Sequence, residues 1–218
     1  MLPPPGSASE GGGIRGVDSD GVELELNDQS WVKIRPIRPN DKEGLLAGFE
    51  RLSEDSRYKR FLTPMDTLTS SQLRYLTEVD HRDHEALIAC DLDGNIVGVG
   101  RYVREPGSDR SEAAVTVADD WQGRGLGTAL TRILAARATE EGIRTFTALL
   151  LARNEDMRGL LDAVGHVEVT SQDGEAVEVE VPLAPEIAQD PALRSVLRAV
   201  AATEGEVAKP PGEGTGGG

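Results

Sequence analysis

Residues 121–128 read Trp-Gln-Gly-Arg-Gly-Leu-Gly-Thr and join two segments of different hydrophobic period. Upstream, Ala113-Ala114-Val115-Thr116-Val117 is an apolar run of β type. Downstream, Leu126, Leu130, Ile133, Leu134 and Ala138 recur at helical spacing. A strand, a glycine-rich turn and a helix N-terminus in that order make an anion site. Glycines let the main chain come close to a ligand, and the N–H groups of a first helical turn point outward without intrahelical partners. Arg124 adds a guanidinium fork suited to phosphate oxygens. A pyrophosphate is the guest this arrangement suits, against the plainer reading of a structural turn.

Two familiar phosphate loops are excluded. No Lys-Ser or Lys-Thr follows at the spacing of a P-loop, and Gly123, Gly125 and Gly127 do not spell the dinucleotide fingerprint G-x-G-x-x-G.

Composition narrows the partners. The chain has 218 residues, enough for one domain with a full core plus extra termini, and its 38% hydrophobic content implies that part of it is unpacked. Acids outnumber bases by 38 to 23, for a net charge of −15, which argues against nucleic acid and anionic membranes. The single Cys90 rules out an internal disulfide framework and a cysteine-based zinc site. Its place in the apolar run 86–90 suits a buried small hydrophobe. There is no long apolar run for a membrane span, and Met-Leu-Pro-Pro-Pro-Gly lacks the basic and apolar regions of a signal peptide. The expected location is the cytoplasm, as a monomer or dimer.

In chain order, residues 1–28 are rich in Gly, Pro and acids and are expected to be mostly disordered, with a short extra strand around Val22, Leu24 and Leu26. Residues 29–183 form the expected domain. Within it, residues 31–35 alternate as a strand, and Asn40 or Asp41 caps a helix with Leu45, Leu46, Phe49 and Leu52 on one face. A second short helix runs through Tyr58 and Phe61, and a third opens on the Thr69-x-x-Gln72 capping box. Strands 85–91 and 96–103 flank the Asp93-Gly94 turn, and strand 111–117 feeds the glycine loop. After the loop helix come an apolar strand over residues 145–151, a helix with Met157, Leu160, Leu161 and Val164, and a closing hairpin around Gln172-Asp173-Gly174. Residues 184–203 are expected to hold a surface helix, and residues 204–218 a disordered tail.

Gln122-x-x-Gly125-x-Gly127, inside this order of elements, resembles the Q/R-x-x-G-x-G/A loop of the GNAT superfamily of N-acetyltransferases. The resemblance implies an α/β (α+β) GNAT fold: a mixed, twisted sheet of about seven strands, helices on both faces, splayed between the fourth and fifth strands. It implies acetyl-CoA as co-substrate. The pyrophosphate would rest on Gln122, Gly123, Arg124, Gly125, Leu126, Gly127 and Thr128, and the pantetheine arm would pair with Val115, Thr116 and Val117. Val115 is the candidate amide for the thioester oxyanion. Residues 79–89, Glu112-Ala113-Ala114-Val115-Thr116-Val117-Ala118-Asp119 and Asn154-x-x-Met157 are similar more closely to bacterial protein lysine acetyltransferases that modify acyl-CoA synthetases. That likeness implies a protein lysine acceptor, Glu112 as general base, and Asn154 as a cofactor contact.

Acetyl transfer to an amine needs a neutral nitrogen. A lysine ammonium, with a pKa of about 10.4, must therefore lose a proton to a base. Glu112 suits this task if partial burial raises its pKa. Strand parity puts it on one face with Ala114 and Thr116 unless a bulge intervenes; an exposed strand-end glutamate is the alternative. Asn154 also suits a helix N-cap, and Arg158 is either a phosphate contact or a solvated charge. The superfamily's common tyrosine acid is replaced here by Leu161. His81 and His84, set among acids, form no persuasive metal set and read as a polar loop beside the acceptor side; no metal is expected. Two alternatives remain open: acetylation of a small-molecule amine, and a non-catalytic acyl-CoA-binding sensor or scaffold.

Overall fold

The computed structural model describes residues 13–18, 21–190, 193–194 and 196–198. One nine-stranded sheet carries the fold. Its strands are β1 (Ile14–Asp18), β2 (Gly21–Glu25), β3 (Trp31–Pro36), β4 (His84–Cys90), β5 (Ile96–Arg104), β6 (Arg110–Val117), β7 (Thr145–Leu151), β8 (Glu168–Asp173) and β9 (Ala176–Pro182), in the spatial order β1-β2-β3-β4-β5-β6-β7-β9-β8. Every neighbouring pair is antiparallel except β6–β7, which is parallel.

β1 and β2 raise the sheet from about seven strands to nine and lie ahead of the predicted boundary at residue 29; β2 answers to the short extra strand expected there, and β1 is unforeseen. Gly- and acid-rich composition hides this hairpin, yet its few apolar residues are well used: Val22 is 1% exposed and packs into the main core. Val22 pairs with Ile34 and Leu24 with Val32, so the alternation seen in the sequence is real strand periodicity. Residues 1–12 and 199–218, which include part of the first predicted tail and all of the last, lie outside the described residues.

Helices α1 (Lys42–Glu50), α2 (Glu54–Phe61) and α3 (Ser70–Thr77) cover one face, with Leu45, Phe49 and Leu52 buried as their spacing requires. Thr69 caps α3 through the predicted reciprocal box, accepting from the Gln72 amide while Gln72 Oε1 accepts from the Thr69 amide. Asp41 behaves differently from expectation. A 3-10 turn, Pro39–Asp41, precedes α1, and the Asp41 carboxylate is taken by the Arg38 amide and the Arg35 guanidinium, leaving it no cap bond to make.

The other face is covered by α4 (Leu126–Glu140), whose Leu126, Leu130 and Leu134 are at most 1% exposed. Gly98 and Gly100 of β5 let α4 settle onto the sheet: a Cβ on Gly98 would meet Leu130 Cδ1 at 2.9 Å. Helix α5 (Glu155–Asp162) follows β7 and abuts α4. The segment predicted as a surface helix begins with a 3-10 turn, Pro185–Gln189, and continues with helical residues at 193–194 and 196–198. Leu193, Val196 and Leu197 are buried in the main core, so the predicted apolar stripe packs onto the domain.

Candidate active site

The sheet splits where the parallel pair begins. β6 pairs with β7 only through Arg110–Thr145, Ser111–Phe146 and Glu112–Thr147; beyond that the two strands part. Ala113 to Val117 stay paired with β5 on their other side, which leaves the peptide groups facing β7 without strand partners. The wedge between the strands is a cleft of about 590 Å³. Glu112 stands at its apex, Val115, Thr116 and Val117 form one wall, and Ala148 to Leu150 form the other.

The β5–β6 register runs without a bulge from Ser111 to Val117, so the alternation along β6 holds. Glu112, Ala114 and Thr116 share the face of α1 to α3, while Val115 and Val117 turn towards the core under α4. Glu112 is exposed at the cleft, as the strand-end alternative has it and without the partial burial on which its part as base is conditioned, and the small Ala114 beside it leaves room for another chain.

The glycine loop closes the far end. A 3-10 turn, Asp119–Trp121, leads into it, and Gln122 Nε2 donates to the Val117 carbonyl at 3.1 Å, folding the loop back on its own strand. Gly123 and Gly125 both have positive φ (73° and 87°), a conformation that glycine adopts without steric cost. Gly125 is the N-cap of α4 and provides no side-chain cap, so the first-turn donors, Thr128 included, are left to the cleft. Gly127 lets α4 approach α5: a Cβ there would lie 3.0 Å from Leu160 Cδ2. A bare, glycine-lined helix start of this kind fits a pyrophosphate.

The Arg124 guanidinium does not face the cleft. It pairs with Asp28 at 3.1 Å, donates to the Asp120 carbonyl at 2.6 Å and stacks over Trp121. Leu126 is core, so only its main chain is at the loop. Asn154 lies at the cleft, 7% exposed, and caps α5 by accepting from the Met157 amide at 3.2 Å. Arg158 is exposed and does not line the cleft. Leu161, where a tyrosine acid would stand, is fully buried and turned into the core.

Two features of the site lay beyond sequence reading. Residue Asn27, just after β2, donates its amide to the Arg124 carbonyl at 3.0 Å, so the extra hairpin braces the glycine loop. Asp119 anchors the start of α2: its carboxylate accepts from the Ser53 amide (2.8 Å), the Ser53 hydroxyl (2.9 Å) and the Ser56 hydroxyl (2.6 Å). Burial pushes this carboxyl up, but the bonds from Ser56 and Ser53 outweigh it and hold it below the usual range. Helix α2 then spans the cleft, with Lys59 paired to Asp156 at the start of α5. Asp119→Ala should cost about 1 kcal/mol and loosen α2, read as a lower denaturation midpoint and faster amide exchange in residues 54–61. Unchanged exchange there would remove the anchoring role.

His81 and His84 serve structure. His81 Nδ1 lies 2.7 Å from Glu85 Oε1, and the fully buried Glu85 also meets Arg137 on α4. His84 Nε2 accepts from Arg101 at 3.1 Å. Among the described residues no group of three or more His, Cys, Asp or Glu could hold a metal ion. Burial, then the Arg101 charge, pushes His84 down to about 4. The unfolded chain binds that proton near 6.5 and the folded one only near 4, so stability present above pH 6.5 is lost as pH falls through this window. Allowing for solvent screening, about 1 kcal/mol should go between pH 7 and pH 5, and His84→Gln should flatten that slope in denaturant titrations. Parallel slopes would refute the assignment.

Comparison with known proteins agrees with this geometry. Residues 46–166 match the model of the "Acetyltransferase (GNAT) family". Acetyltransferase Pat of Mycolicibacterium smegmatis is 33% identical over 190 residues, covering 82% of this chain and 57% of Pat, so the chain spans little more than half of that relative. Acetyltransferase PA5475 of Pseudomonas aeruginosa is 34% identical over 164 residues, covering 74% of this chain and 88% of the relative. The crystal structure of the GNAT domain of S. lividans PAT superposes with a TM-score of 0.68 at 31% identity, covering 74% of this chain and 96% of that one. With its forked sheet, glycine loop and uncapped α4, the chain belongs to the GNAT family of acetyltransferases.

Proposed function

We propose that this domain transfers the acetyl group of acetyl-CoA directly to the side-chain amine of a protein lysine, with Glu112 as general base. The observation that carries the reading is the fork itself. Glu112 stands at the apex of the cleft and the uncapped start of α4 at its other end, separated by a strand stretch of about 16 Å whose peptide groups lack strand partners on the β7 side. The loop from Gln122 to Thr128 offers its N–H groups to the pyrophosphate. Val115, Thr116 and Val117 offer main-chain groups to the pantetheine arm, and Asn154 closes the opposite side. The Val115 amide is the donor assigned to the developing oxyanion. Acetyl-CoA, when bound, supplies the activated acyl group. Glu112 takes the ammonium proton, directly or through one water, and the neutral nitrogen attacks the thioester carbonyl.

The likeness of residues 79–89, 112–119 and Asn154-x-x-Met157 to bacterial protein lysine acetyltransferases supports an acceptor on an acyl-CoA synthetase, and the proposed site of action is the cytoplasm. Among the described residues no helix is long and apolar enough to cross a membrane. One observation favours a second reading: Leu161 is buried and cannot act as the acid, as in a domain that binds acyl-CoA without turnover. In the active enzyme the CoA thiolate leaves without a side-chain acid or takes its proton from water.

Thiol release from acetyl-CoA, measured with a cell lysate and with a panel of small amines, tests the assignment. Release accompanied by acetylation of a lysate protein lysine is the expected result. Turnover on small amines alone would transfer the activity to metabolites, and tight acetyl-CoA binding without any turnover would leave a sensor.

A further inference from the structure

A second cavity of about 60 Å³ adjoins the cleft on the α1–α3 face of β6, and Arg60, Phe61, Ala114 and Thr116 line both. The residues that line it are apolar except for Thr116, Arg60 and Arg101, and no carboxylate residue is among them. Arg101 donates to His84 Nε2 and to the Leu76 carbonyl, both uncharged partners. Among the described residues Arg60 makes no hydrogen bond or ion pair; its guanidinium rests 4.9 Å from the centre of the Phe61 ring. The two cations are close enough to oppose each other. Burial, then the charge of Arg60, pushes Arg101 down to about 9, and burial lowers Arg60 against the opposing pull of Glu112 and Tyr75.

This is unusual in a chain of net charge −15. Arg35, Arg110 and Arg137 each meet a carboxylate. Arg60 is half-buried and feels the Glu112 carboxylate across the cleft, and Arg101 is buried with uncharged partners, so an anion reaching both would gain charge-assisted hydrogen bonds that neither now makes. The volume is that of about two waters, enough for a carboxylate head and too small for a nucleotide.

We propose that this inner cavity is a carboxylate subsite for the acceptor, gripped by Arg60 with Arg101 as the second positive wall. The inference rests on the acetyl-transfer reading. The acceptor then carries a carboxylate near its amine, so that one end reaches Arg60 while the amine faces Glu112 in the same cleft. The carboxylate comes either from an acidic residue beside a protein lysine or from a small amino acid.

The test compares matched acceptors: peptides with Glu or Gln beside the lysine, and free lysine against cadaverine, which lacks only the carboxylate. The wild-type protein should prefer the carboxylate member by at least tenfold in kcat/KM. Arg60→Gln should abolish that preference and Arg60→Lys should keep part of it, with acetyl-CoA affinity unchanged in both. A preference confined to the peptides places the carboxylate on a protein, and one confined to free lysine places it on a metabolite. Equal rates within both wild-type pairs, or an intact preference in Arg60→Gln, overturn the subsite. Glutarate titrated into the protein gives a readout that needs no turnover: it should shift the Arg60 Nε–H NMR signal, identified by its loss in Arg60→Gln. No shift overturns the subsite. A shift without acetylation of any acceptor supports the subsite and overturns the acetyl-transfer reading instead.

Discussion

Glu112→Gln should lower kcat by about 10²- to 10⁴-fold at neutral pH, the range that a positioned general base supplies, with acetyl-CoA affinity unaltered. The substitution keeps the shape and removes the basicity. Glu112 ends the β6–β7 pairing and is exposed to the cleft, so glutamine should fit without repacking. The pH profile separates base catalysis from a positioning role. As pH climbs towards the lysine value of about 10.4, more amine is already neutral, and the variant should recover towards wild type. A uniform loss at every pH would mean that Glu112 only orients the acceptor. Unchanged turnover would reassign the base altogether.

Gly125→Ala should weaken acetyl-CoA binding by roughly tenfold or more. At φ 87°, ψ −2° the residue is in the left-handed region, which costs a non-glycine residue about 1–2 kcal/mol, and 1.4 kcal/mol is tenfold in affinity. The new Cβ would also stand 2.7 Å from Asn27 Nδ2. Relief of either stress rotates the peptide groups that open α4, which are the proposed pyrophosphate donors. Calorimetric titration with acetyl-CoA reads the loss. Adding Asn27→Gly should recover only the part due to the clash, because the backbone strain remains. Full recovery would show that φ is not the constraint, and unaltered affinity in the single variant would remove the loop from the binding site.

Much of this was legible in the sequence because it depends on local pattern. Period-2 alternation set the face of Glu112, Ala114 and Thr116, the capping box started α3, and glycine punctuation ended α4 at Gly142, which has φ 79°. What escaped depends on partners far along the chain. The Arg124 fork looked like a phosphate ligand from its place in the loop, but the nearby Asp120 carbonyl and Trp121 ring hold it, and folding brings Asp28 to it as well. Nothing local marks Asp119 as an anchor, because its partners Ser53 and Ser56 lie far back along the chain at the start of α2. Whether Glu112 is partly buried or an exposed strand-end residue stays open in the sequence, and it is decided by the opening of the sheet at that position. That no carboxylate lines the cavity shared by Arg60 and Arg101 is also a tertiary fact, since no local spacing shows it.

The hairpin of β1 and β2 has a practical consequence for where this protein can be cut. Trimming the chain to the seven strands from Trp31 onward would keep every strand of the fork and still look complete by alignment. It would also remove the Asn27 amide from the Arg124 carbonyl and the Asp28 carboxylate from the Arg124 guanidinium. The ladder along Trp31 to Ile34 would be left unpaired, a raw edge of the kind that recruits other chains. A minimal domain made that way would bind its co-substrate poorly and tend to aggregate, and both faults would be mistaken for a defect in chemistry.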